Sequence, residues 1–97
     1  MLESLTCTTF ARHLGERFVL HVDESATFEA ELVAAKELGE GSSEQRAPFS
    51  IVFRVNEGDA LPQRIYPLEH EQLGRLEIFL VPIGQDEKGT RYEAVFT

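Results

Sequence analysis

The sequence has no tryptophan, one cysteine and no long apolar run. A single thiol, Cys7, excludes a disulfide within the chain and a zinc site built on cysteines. No run approaches the roughly 20 apolar residues that cross a bilayer. Residues 1–4 carry neither the basic nor the apolar region of a secretory signal. We therefore expect a cytoplasmic protein that does not bind membranes.

Basic side chains are also scarce, because nine Lys and Arg stand against seventeen Asp and Glu, a net charge of −8. Nucleic-acid binding needs clustered Lys and Arg to neutralise phosphates, so this balance argues against a nucleic-acid partner. The acidic excess is spread along the chain: residues 1–48 hold nine acids and four bases, and residues 49–97 hold eight and five. Spread charge of this kind is typical of a solvated surface.

The chain of 97 residues, 42% hydrophobic and 27% charged, has the balance of one folded domain, which we place at residues 1–97. Two polar connections, Gly39–Arg46 and Asn56–Ala60, carry glycines and are each followed by a proline. Their lengths are typical of loops within a domain.

The N-terminal stretch predicts a short helix. Ser4 or Thr6 supplies the N-cap, and Gly15 ends the helix in a left-handed conformation. The inward stripe is formed by Leu5, Phe10 and Leu14.

A period-two pattern begins at Arg17 and predicts a strand that ends in a turn at Asp23–Ser25. The next segment, Ala26–Leu38, is ambiguous between strand and helix. As a strand it places Phe28, Ala30, Leu32, Ala34 and Leu38 on one face and Glu29, Glu31 and Glu37 on the other. As a helix it aligns Phe28, Leu32 and Ala35, in a segment rich in good helix formers. We favour the strand, because the segment follows a turn and continues a hairpin register.

The second half predicts further strands. Phe49–Val55 is a dense β-branched and aromatic run, Arg64–Tyr66 with Leu68 is a shorter one interrupted by Pro67, and a hairpin joins Leu76–Val81 to Tyr92–Phe96 through Gln85–Gly89. Pro67 and Pro82 lack an N–H, so we expect each at a sheet edge, a bulge or a strand end. The whole pattern predicts a mainly β fold, a small antiparallel barrel or sandwich of about six strands with a short N-terminal helix.

The main candidate for chemistry is the run Glu69-His70-Glu71, since a histidine between carboxylates can bind a metal or act as a general base. Neighbouring residues of a strand point to opposite faces, however, so these side chains do not converge. We favour a structural His70 that hydrogen-bonds the turn around Gly74 with its ring against the core. Cys7 is likewise interpreted as a small buried hydrophobe rather than a nucleophile.

The three glutamates of the Ala26–Leu38 strand, Glu29, Glu31 and Glu37, suggest an acidic face. A solvated outer face is the favoured interpretation, and a patch that steers a basic partner is the alternative.

Several short motifs carry a family resemblance: Phe49-Ser50-Ile51-Val52-Phe53, Leu61-Pro62-Gln63, Tyr66 with Glu69-His70, and Phe79-Leu80-Val81-Pro82. In these the chain resembles an uncharacterised family of bacterial domains of about this length. The resemblance implies a small β-rich domain, often encoded near tail-collar or tail-fibre-like genes, with no established activity and no catalytic residues to transfer. It makes Tyr66 and His70 buried hydrogen-bonding side chains.

We therefore expect a non-catalytic protein-interaction or assembly domain, accessory to a tail-like or cell-surface assembly, with a protein partner and without a cofactor or metal. Self-association into a homodimer is a further expectation. The alternative is a small hydrolase or ligand-binding barrel with a site around His70, in which Tyr66 and Glu69 take part.

Overall fold

The computed structural model describes residues 5–40 and 47–97, which form one short helix and six strands. The elements are α1 (Cys7–Ala11), β1 (Arg17–His21), β2 (Thr27–Glu37), β3 (Phe49–Val55), β4 (Arg64–His70), β5 (Gly74–Asp86) and β6 (Gly89–Phe96). The strands close into an antiparallel barrel in the order β1-β2-β3-β6-β5-β4. The barrel alternative to a sandwich is thus the correct one, and the predicted N-terminal helix is present.

The helix α1 begins at a capping box. The Thr6 hydroxyl accepts the Thr9 N–H and the Thr9 hydroxyl accepts the Thr6 N–H, so two orphan donors are satisfied. The prediction is wrong for the C-terminal half of this helix, because α1 ends at Ala11 and the Leu14 side chain is exposed rather than inward. Gly15 does have positive φ, but it lies in the turn that leads into β1. Ser4 lies outside the described residues.

Strand β2 confirms the favoured interpretation of Ala26–Leu38. Its pairing with β3 shifts between Leu32 and Ala34, so Val33 forms a bulge and the alternation changes there. Ala35, not Ala34, then packs against the core, and Leu38 is exposed. The expected single apolar face of this segment is therefore correct only as far as Leu32.

The last two strands are longer than the sequence pattern indicated, since β5 runs from Gly74 to Asp86 and the tight turn is at 87–88. Pro82 lies beside a register shift in the β5–β6 pairing, so a bulge is the one of its three expected placements that the structure shows. Pro67, in contrast, does not interrupt β4. It lies opposite Glu77 of β5, and on its other side the pairing of β4 with β1 ends at Leu68, one residue away. Gly84 lies inside β5.

The interior of the barrel is packed with large side chains from every strand. Phe18 and Phe53 meet edge to face at 5.0 Å between ring centroids, and both are fully buried. At one end, Phe10 of α1 covers the stacked rings of Phe49 and Phe96. We call this the helix end of the barrel and the opposite one, where β5 turns into β6, the hairpin end.

Most of the Gly39–Arg46 connection lies outside the described residues. Within the described ranges, no helix is long and apolar enough to cross a bilayer.

Candidate functional site

The three residues predicted as a cluster do not form one. Tyr66 and His70 point into the barrel from β4, whereas Glu69 points outward and meets Nε2 of His21. The Tyr66 hydroxyl donates to the carbonyl oxygen of Pro62 at 2.6 Å. Burial raises the pKa of this hydroxyl, which keeps its proton on oxygen. Tyr66 is therefore a buried hydrogen-bonding side chain, and it fixes the chain just before β4.

The ring of His70 caps the turn between β4 and β5. Its Nδ1 accepts the backbone N–H groups of Gln72 at 3.0 Å and Leu73 at 3.2 Å, and its ring lies 4.5 Å from that of Phe18. These are the contacts that the structural interpretation predicted. Because Nδ1 accepts two donors, the proton of the neutral ring resides on Nε2.

A cluster that local sequence spacing did not reveal forms around His70. Nε2 of His70 and Nδ1 of His13 are hydrogen-bonded to the same oxygen of Glu16, at 2.7 Å and 2.9 Å. An ionised carboxylate only accepts hydrogen bonds, so both rings donate to it. The two hydrogen bonds lower the pKa of Glu16, and the bond from His70 has the larger effect. We call His13, Glu16 and His70 the histidine clamp, because it ties the segment after α1 to the β4–β5 turn.

The histidine clamp has the donor set of a zinc site, two imidazoles and a carboxylate with ligand atoms within 4.8 Å of one another. The surroundings of His70 oppose this use. A metal on Nε2 requires the proton on Nδ1, where the N–H groups of Gln72 and Leu73 already point. The hydrogen bonds of the histidine clamp therefore fit a structural connection between two chain segments better than a metal site.

A second feature is an apolar groove where β5 and β6 separate. The two strands pair from Val81–Glu93 to Asp86–Gly89, whereas residues 94–96 of β6 pair with β3. The groove has a volume of about 230 Å³ and is lined by Ile65, Glu77, Ile78 and Phe79 on one side and by Ala94–Phe96 on the other.

The outer rim of the apolar groove is hydrophobic. Ile65, Phe79 and Val95 are 61%, 50% and 56% exposed. They come from three neighbouring strands and form one contiguous patch. A contiguous exposed apolar patch indicates an interaction site, whereas single exposed apolar residues are normal on a protein surface.

The expected acidic face is a mixed one. Glu29 pairs with Arg17 at 3.4 Å, and Glu31 lies 3.9 Å from Arg54. The β2 bulge reverses the alternation before Glu37, which therefore does not share the face of the other two glutamates. These contacts leave no block of three like charges for a basic partner.

The one thiol lies on α1 beside β2. Cys7 is half-buried, and burial, followed by the negative charge of Glu37, raises its pKa. A raised pKa disfavours the thiolate, the nucleophilic form, which supports the interpretation of Cys7 as a packing residue.

These observations define a class: a small closed antiparallel β-barrel with a packed interior, a histidine clamp at the helix end and an apolar groove in its wall. The chain belongs to the family described as a domain of unknown function (DUF6916), whose model matches residues 5–96. Among curated proteins, nothing matches the chain, and among solved structures nothing does either.

Proposed function

We propose that the domain is a non-catalytic protein-interaction module that binds an extended segment of a partner protein in the apolar groove. The separation of β5 from β6 carries this proposal, because it leaves two strand edges facing one apolar space. An extended segment that lies there adds backbone hydrogen bonds to an edge, and its alternate side chains meet Ile65, Phe79 and Val95.

The charge of the groove and of the whole domain indicates which kind of partner segment binds. Glu77 is the charged residue among those that line the groove, and the chain as a whole carries −8. A segment that alternates apolar residues with Lys or Arg complements both features. A second copy of the domain fits less well, because two surfaces of the same negative sign repel each other. An accessory role in a tail-like or cell-surface assembly is one setting for such a module.

The alternative function, a hydrolase or ligand-binding barrel centred on His70, has less support. Both ring nitrogens of His70 already hold hydrogen bonds, Nδ1 to the turn and Nε2 to Glu16. A general base needs a nitrogen within reach of its substrate.

The test is an NMR titration with a synthetic peptide of alternating valine and lysine. We expect saturable shifts of the amides of Phe79 and Ala94–Phe96, and a much weaker response to the same peptide with glutamate in place of lysine. Val95→Lys should abolish binding, because it places a like charge in the rim of the groove.

Ile83→Lys is the matched control. Ile83, on β5, is 45% exposed and lies outside the groove lining, so this variant adds the same charge as Val95→Lys and should bind as the parent does. Shifts that do not saturate, or an equal loss in both variants, would contradict the proposal. Concentration-dependent shifts without peptide would instead show that a second copy fills the groove.

A further inference from the structure

The apolar groove is closed at one end and open at the other. β5 and β6 begin to pair at Val81 and Glu93, and from there their ladder runs to the hairpin end. Paired strands lie about 4.8 Å apart, which leaves no room for a third strand between them. A partner segment that enters from the helix end therefore cannot pass through the groove. It ends at the Val81–Glu93 pair, which we call the closed end, or leaves the wall of the barrel there.

The longer strand edge at the groove belongs to β5. Within the described residues, 74–80 of β5 pair with β4 alone, whereas β6 extends past the closed end only by 94–96. β5 runs from the helix end toward the hairpin end. An extended segment antiparallel to β5 therefore points its N-terminus at the closed end, and antiparallel pairing is the slightly more stable kind.

A carboxylate lies at the closed end. Glu93 belongs to the pair where the ladder stops, and it directly precedes Ala94 of the groove lining. Its neighbours across the strands are apolar, Val52 on β3 and Val81 on β5. Among the described residues, no ion pair involves Glu93.

The side chain of Glu93 faces the outside of the barrel. It alternates with the buried residues Tyr92 and Ala94, as the exposed Val95 does one position beyond Ala94. Arg91, two positions earlier on the same strand, has its guanidinium against Gly84. The Glu93 carboxylate therefore keeps its hydrogen-bonding capacity for a group that arrives at the closed end.

We propose that the closed end of the groove binds the α-ammonium group of a partner's N-terminus. An ammonium carries a positive charge and three N–H donors, so it complements a carboxylate at the end of a strand edge. A C-terminal carboxylate would instead meet Glu93 and a domain with a net charge of −8. This closed-end site rests on the function proposed above for the groove, and it narrows the partner from any extended segment to one with an unblocked N-terminus.

The experiment compares two forms of a Val-Lys-Val-Lys-Val-Lys amide in NMR titrations of the intact domain, one with a free and one with an acetylated N-terminus. The pH is mildly acidic, so that the α-amino group is protonated. We expect acetylation to weaken binding by about tenfold, because it removes one charge-assisted contact. A third peptide, with a free amine and a free C-terminal carboxylate, is the matched control. It loses the same unit of charge at the other terminus and should bind nearly as well as the amide.

Two variants of the domain assign the effect to a residue. Glu93→Gln should bind the free and the acetylated peptide equally, because the charge that distinguishes them is gone. Glu77→Gln makes the same change of net charge in the groove lining, farther toward the helix end. It should weaken both peptides alike and keep the difference between them.

A spin label at the C-terminus of the free-amine peptide reports its direction. The label should broaden the amide signals of Gly74 and Arg75 and leave that of Gln85 sharp. Equal binding of the free and the acetylated peptide, or broadening at Gln85 instead, overturns the N-terminal site while the groove proposal stands. If neither peptide gives saturable shifts, both proposals are overturned.

Discussion

The barrel closes by different means at its two ends. At the hairpin end the backbone closes it, since β5 and β6 are hydrogen-bonded from Val81 and Glu93 to the turn at 87–88. At the helix end the same two strands separate, and side chains take over: Phe10 covers Phe49 and Phe96, and the histidine clamp holds the β4–β5 turn. The comparison teaches that side-chain contacts can complete a barrel where the hydrogen-bond ladder between two of its strands ends.

The largest expected effect concerns closure at the helix end. Phe10→Ala removes a fully buried ring that contacts two others, so we expect a loss of about 3–5 kcal/mol in the free energy of unfolding. Urea denaturation measures it. Leu14→Ala, on the same segment but exposed, is the control and should change stability by less than about 0.5 kcal/mol. Similar values for both variants would mean that α1 does not close the barrel.

The hairpin end should respond next most strongly, to Gly89→Ala. Gly89 has a φ of +127°, and a Cβ there would lie 2.3 Å from the Val55 carbonyl oxygen. We expect a loss of about 2–3 kcal/mol in the free energy of unfolding, because the backbone must move to make room for the added carbon. Gly74→Ala is the matched variant at the helix end: its φ is +77° but the space around it is open, so about 1 kcal/mol is expected. Thermal unfolding of the two variants side by side gives the comparison, and a reversed order would refute it.

A smaller effect should follow from Tyr92→Phe. The Tyr92 hydroxyl accepts the N–H of Leu61 at 2.9 Å and so holds the connection between β3 and β4 at the hairpin end. Its removal leaves a half-buried donor without an acceptor, and we expect a loss of about 1 kcal/mol by urea denaturation. Tyr66→Phe should cost less, because its partner carbonyl belongs to the exposed Pro62 and gains water instead. Equal losses would argue against this difference in solvent access.

The smallest expected effect is the response of the histidine clamp to acid. The folded state lowers the pKa of Glu16, so its contribution to stability is present above the ordinary value of 4.5 and is lost as pH falls through the lower folded value. The stability difference between the parent and Glu16→Gln should therefore be largest near neutral pH and shrink in acid. Glu71→Gln removes an exposed acid from the β4–β5 turn and is the control with the same change of net charge. An equal dependence on pH in both variants would contradict the assignment of the effect to the histidine clamp. Urea titrations over this pH range provide the measurement.

Much of the fold followed from the sequence because strand patterning is local. The alternation of Phe18 and Leu20, the dense run Phe49–Val55 and the turn glycines each act within a few residues. The errors also have local causes that the pattern does not encode. The bulge at Val33 moved Glu37 to another face, and the helix ended at Ala11 although an apolar residue followed at the right spacing.

The site was predictable only in part. The role of His70 in its own turn follows from strand alternation, which excluded convergence with Glu69 and Glu71. Its partnership with Glu16 links positions 54 residues apart, and no spacing in the sequence indicates it. The apolar groove likewise depends on where a ladder between two strands stops, which patterning does not specify.

The sequence by itself determined the composition of this protein, its strand-forming segments and its inward-facing side chains, because these depend on neighbouring residues. Only the tertiary structure decided which strands are neighbours, and hence that Arg54 faces Arg91, that His13 and His70 share one carboxylate, and that β5 and β6 separate at the helix end. Barrel closure sets these contacts between residues far apart along the chain, and each candidate for function lies among them.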